Sequence, residues 1–160
     1  MNFKTVISVL GVDGWDRDLK NATEFCDAQG AHLTALVICM GTVPAIATYE
    51  AISTSWLEGQ QREIDRLTEE ARAIQTALER SGVSFDVQEI YTEFAWADDD
   101  IAERALYADI VLVGAQAALN ESLRSRIIDG ALFHSPTPII INPRMQTVTG
   151  SPRSIVLAWD

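Results

Sequence analysis

The chain predicts an α/β domain, a five-stranded parallel sheet in a three-layer α/β/α arrangement. Three observations carry that expectation. Short apolar runs alternate with amphipathic segments along the chain, and this alternation makes parallel strands joined by helices. One run, "ADIVLVG" (108–114), is apolar almost throughout, as a strand covered on both faces must be. The length of 160 residues, 48% of them apolar, suffices for one well-filled core.

Taken in order, "KTVISVL" (4–10) is β-branched and ends at "GVDG", which reads as a buried strand and a turn. "DRDLKNATEFCDAQG" (16–30) follows as a helix, with Leu19, Ala22 and Cys26 on one face and Gly30 as its C-cap. "HLTALVICM" (32–40) is the second strand. Residues 41–53 lack periodicity and read as a loop or lid containing Pro44 and Tyr49. The longest helix comes next. Ile64, Leu67, Ala71, Ile74 and Leu78 repeat at 3,4,3,4 spacing, Ser55 and Glu58 match a capping box, and Gly82 ends it. Such a stripe suits packing on a sheet, or a coiled coil.

"VSFDVQEIY" (83–91) is a third strand, "DDDIAERALY" (98–107) a short helix, and 108–114 the fourth strand. "ESLRSRIIDGALFHS" (121–135) is expected to be one helix with Ile127, Ile128, Ala131 and Leu132 inward. "TPIIIN" (137–142) is the fifth strand. The polar stretch after residue 143 reads as a linker over 144–153. "RSIVLAWD" (153–160) then repeats the offsets of "KTVISVLG" (4–11), so 154–160 reads as the first strand of a second copy of the domain.

Twelve basic against 23 acidic side chains give a net charge of −11. That balance disfavours nucleic acid and anionic membranes, both of which need clustered basic groups. No apolar run approaches the roughly 20 residues of a membrane helix, and the start has no signal-peptide cleavage pattern, so a cytoplasmic location is expected. Cys26 and Cys39 form no CxxC pattern, and His32 and His134 do not stand at ligand spacing. Two buried, reduced thiols and no metal are expected.

"YADIVLVGAQ" followed by a helix and "SPTPIIINP" resembles the C-terminal half of a universal stress protein domain, and "GAHLTALVI" resembles that family's second strand. The resemblance spans residues 4–143 in element order, which gives a domain over 1–143 and implies the Rossmann-like, adenine-nucleotide-hydrolase-like fold. "VLAWD" is similar to the opening of a second such domain, and thereby implies the N-terminal part of a tandem protein. Many members bind ATP through Gly-x2-Gly-x9-Gly-Ser/Thr after the fourth strand and an aspartate ending the first. Here Gly114 matches the first glycine, but Ala117 stands at the second, and Ser125 and Arg126 stand where Gly-Ser/Thr is expected. Leu10 or Gly11 replaces the aspartate, and Asp13 lies two or three positions on.

In open α/β sheets ligands sit at the carboxyl ends of the strands, where strand order reverses. That rule nominates the loops after Leu10, Ile38 and Val113. Taken with the positions that the resemblance implies, the nucleotide-binding residues, were a nucleotide to bind, are Leu10, Gly11, Ile38, Gly114, Ala117, Ser125 and Arg126. The residues with a Cβ at 117, 125 and 126 restrict close backbone approach to a phosphate, so no cofactor is expected and ATP would bind weakly. The expected role is a non-enzymatic stress-response module. The alternative is an ATP-binding, slowly hydrolysing switch.

The resemblance implies association through the last strand, Pro138, Ile139, Ile140 and Ile141, either as a homodimer or with a second stress-protein domain. Arg124 and Arg126 read as solvated side chains or as a charge-based phosphate clamp. Asp98, Asp99 and Asp100 read as helix-start carboxylates rather than a magnesium site. Trp15, Trp56 and Trp96 fall in or beside loops at strand ends, as pocket or packing residues. Neither His134 nor Ser8 has a catalytic setting in the sequence.

Overall fold

A computed structural model describes residues 3–41 and 54–141. The expected lid beyond Gly41, the linker and the strand at 154–160 lie outside the described residues. Five parallel strands form one sheet in the order β3-β2-β1-β4-β5. They are β1 (Thr5–Gly11), β2 (His32–Gly41), β3 (Phe85–Glu93), β4 (Ile110–Val113) and β5 (Ile139–Ile141). β1 lies centrally, with Val6 opposite both Leu33 of β2 and Ile110 of β4. The chain builds outward through β2 and β3, then returns to the other side of β1 for β4. The reversal point is therefore between β1 and β4.

Helices cover both faces. α1 (Asp16–Gln29) and α2 (Thr54–Leu78) enclose one core half, in which Leu19, Ala22 and Phe25 meet Leu67, Ile74 and Leu78 over Val6, Leu33 and Val37. α3 (Ala97–Ala105) and α5 (Glu121–Ile128) enclose the other, where Ile101, Leu123 and Ile127 pack on Ile7, Val9, Leu36 and Val111. The alternation of side chains along each strand divides them between these halves. α1 ends at Gly30, which adopts φ 62° as the C-cap requires. The stripe on α2 packs against the sheet; Leu67, Ile74 and Leu78 are buried and Ile64 is half-buried.

The expected single helix over 121–135 is two pieces, a helix and a wider turn. α4 (Ala115–Leu119) precedes it, and Asn120 caps α5 by accepting from the Leu123 N–H at 3.1 Å. α5 then widens into a π-helical turn, Asp129–Phe133. The cause is local. A Cβ at Gly130 would meet the backbone carbonyl of Asp98, so α3 and this turn approach backbone to backbone. The extra residue in the turn keeps Ala131 buried but turns Leu132 outward, 51% exposed, where the sequence placed it inward. Ile128 is half-buried. Cys26 and Cys39 are free, buried thiols, and burial pushes Cys26 up to about 12.

Candidate functional site

The reversal point between β1 and β4 opens a cleft of about 260 Å³ at the carboxyl ends of the strands. Its floor is Gly11 of β1 and Ile38 of β2; Ala117 of α4 and Leu123 of α5 form one wall, and Glu63 and Arg66 of α2 the opposite rim. Trp15 lines it half-buried, its indole N–H donating to Glu70 Oε2 at 2.7 Å.

The backbone after β4 turns at Gly114 into α4, so the first N–H groups of α4 point back toward α1. A helix start of this kind attracts an anion. Here the anion comes from the chain itself. Asp18 of α1, only 2% exposed, accepts the Gln116 N–H with both carboxylate oxygens (3.1 and 3.0 Å) and the Ala117 N–H with Oδ2 at 2.9 Å. Gly114 makes this possible. Any Cβ at 114 would fall on the Asp18 carboxylate. The glycine thus admits a side chain from α1 against the start of α4.

The remaining charges of the cleft are also acidic on balance. Asp13 and Glu63 face it, against the Arg66 guanidinium. Arg66 is itself paired with Asp13, and Glu63 accepts from the Tyr91 hydroxyl at 2.9 Å. Burial and that carboxylate push the Tyr91 hydroxyl up to about 12. Burial likewise raises the Cys39 thiol at the cleft wall, and the Glu63 charge adds to it.

The structure gathers some of the nominated residues here and not others. Gly11, Ile38 and Ala117 line the cleft; Gly114 stands behind it against Asp18; Leu10 is buried beneath in the core, 1% exposed. Ser125 and Arg126 face elsewhere. Arg126 pairs with Asp98 at 3.3 Å and Asp129 at 2.8 Å and stacks over the Phe94 ring at 4.6 Å. Ser125 Oγ donates to Asp129 Oδ2 at 3.4 Å. Arg124 donates to the Ala118 carbonyl at 3.2 Å. His134 Nδ1 lies 3.3 Å from Asp99 Oδ1, close to the Asp98 that Arg126 holds. Sequence reasoning missed Asp18. In "DRDLK" it reads as one of two first-turn acids that suit a helix start, and only the fold shows that it serves the start of a different helix.

Solved structures share this architecture. A universal stress protein family member from Burkholderia pseudomallei is 22% identical, over 86% of this chain and 95% of its own, with a TM-score of 0.53. The universal stress protein UspA from Lactobacillus plantarum is 17% identical, over 89% and 99%, at 0.51. The fold is that of the universal stress proteins. A hypothetical protein whose biochemical function was assigned from its structure superposes at 0.57, 18% identical over 89% of this chain and 96% of its own. No protein-family model and no curated protein matches the sequence. Among the described residues, no helix is long and apolar enough to cross a membrane.

Proposed function

We propose that this chain is a stress-response module with the universal stress protein fold, acting by association with other protein surfaces rather than by nucleotide chemistry at its cleft. The observation that carries the reading is Asp18. A buried carboxylate already satisfies the helix-start donors that would hold a phosphate, and Asp13 and Glu63 add negative charge beside it. Like charges in a partly desolvated cleft oppose entry of a polyphosphate. Association through the β5 edge, as a homodimer or with a second stress-protein domain, belongs to the same reading.

One observation favours the alternative, an ATP-binding switch. The cleft persists at the reversal point with an apolar floor and the Arg66 guanidinium at its rim. Calorimetric titration of the 160-residue chain with ATP and Mg²⁺ decides between them. Absence of binding heat up to high micromolar nucleotide is the expected result. Saturable binding by the native chain overturns the proposal and supports the switch.

A further inference from the structure

The opposite end of the sheet carries a second constellation. Because β2 and β3 pair with Thr34 opposite Asp86, alternate residues of both strands share a face. His32 and Thr34 of β2 therefore stand beside Ser84, Asp86 and Gln88, at the amino end of the sheet. Their side chains connect in one line. The Ser84 Oγ is 2.8 Å from His32 Nδ1, and His32 Nε2 is 2.9 Å from Asp86 Oδ1. Asp86 is held in turn by Thr34 Oγ1, donating to Oδ1 at 2.7 Å, and by Gln88 Nε2, donating to Oδ2 at 2.9 Å.

This wiring sets the tautomer. Burial raises Asp86, but the hydrogen bonds from Thr34, His32 and Gln88 outweigh it and hold the carboxyl below its ordinary range. An ionised Asp86 only accepts, so His32 Nε2 carries the proton, and Nδ1 presents its lone pair to the Ser84 hydroxyl. Reactants have access. Ser84 is exposed, the His32 side chain is 37% exposed, and His32 lines two clefts of about 430 and 400 Å³. The second is also lined by Ser84, Lys4 and Asp27.

We propose that Ser84, His32 and Asp86 form an acyl-transfer site for small activated esters, independent of the cleft between β1 and β4. Ser84 Oγ attacks the ester carbonyl carbon and its proton passes to His32 Nδ1. The ester C–O bond breaks, the imidazolium returns the proton to the departing oxygen, and the acyl group stays on Ser84. Water, deprotonated by Nδ1, then releases the carboxylic acid, and the serine recovers its proton. Asp86 acts as a positioning residue, through the imidazole. The open cleft restricts the substrates to esters with good leaving groups.

The test uses the full chain with p-nitrophenyl acetate, followed by peptide mapping of the acetylated residue, and a fluorophosphonate probe on the native protein. Acetyl and phosphonyl groups on Ser84 are expected. Ser84→Ala and His32→Gln should each lower kcat/KM at least about tenfold. Asp86→Asn should lower kcat and change the pH–rate midpoint, which a merely structural carboxylate would not move. Ser84 is exposed, so Ser84→Ala should keep the fold, which circular dichroism checks. Wild-type turnover by Ser84→Ala, or label on Lys4 or His32 with none on Ser84, would overturn the proposal.

Discussion

Asp18 and Gly114 act as one unit, and their coupling is measurable. Removing the carboxylate leaves the Gln116 and Ala117 N–H groups short of their acceptor, in a place that is nearly dry. Each unsatisfied buried donor costs about 1–3 kcal/mol, so Asp18→Ala should destabilise the fold by about 3 kcal/mol in urea unfolding. Gly114→Ala forces the same carboxylate aside and should cost about 2–4 kcal/mol, within the range of overpacked sites. The two costs are not independent. With Asp18 already truncated, the new Cβ has room, and the Gly114→Ala cost should fall by at least about 1 kcal/mol in a double-mutant cycle. Additivity within error would mean that the pair does not share this space. The sequence shows Gly114 plainly and even its reason, close approach of an anion. It does not show which anion, because α1 and α4 are almost a hundred residues apart and their contact arises from packing alone.

Along single elements, periodicity is a reliable guide and junctions are not. The stripe on α2 and the β-branched runs of β1 and β2 are legible because burial on one or both faces dictates them residue by residue. The division of 115–133 into α4, α5 and a π-helical turn is not, since it answers to Asn120 as a cap and to the backbone of α3 pressing on Gly130. A prediction follows from that contact. Gly130→Ala meets a carbonyl oxygen that no side-chain rotation can move, so it should cost about 2–4 kcal/mol. Gly59→Ala, on α2 with open space around it, should instead be neutral or slightly stabilising; equal effects in thermal melts would refute the contact. The β2–β3 pairing offers a pH test. Asp86 is held below its ordinary 3.8 in the folded chain. Its linked stability is complete above that value and is lost as pH falls through the folded one. Asp86→Asn should therefore flatten the acid limb of stability below about pH 4, measured as urea midpoint against pH, while lowering stability at neutral pH.

At the scale of the molecule, two features oppose one another. Among the described residues β5 lies at the sheet edge, with Ile139 and Ile140 half-buried and Ile141 41% exposed. Leu132 and Phe133, turned outward by the π-helical turn just before it, add exposed apolar surface at 51% and 71%. Among the described residues no strand pairs with the outer side of β5; an apolar edge of this kind is a template for a second strand, and it favours association of two copies. Each copy, however, carries a net charge of −11, so the approach of two is repelled over roughly 10 Å at 0.1 M salt. Association through β5 should accordingly strengthen as salt rises from 20 to 300 mM, in the order of ~tenfold in dimer affinity, as followed by sedimentation velocity at micromolar protein. Ile141→Lys places a charge on the edge without entering the core, and should shift the population to monomer at every salt concentration while leaving the urea midpoint of the monomer unchanged. A dimer that weakens with salt would instead be held by ion pairs, and one indifferent to Ile141→Lys would use another face. Either result would separate the fold, which the sheet order already establishes, from the edge pairing proposed for it.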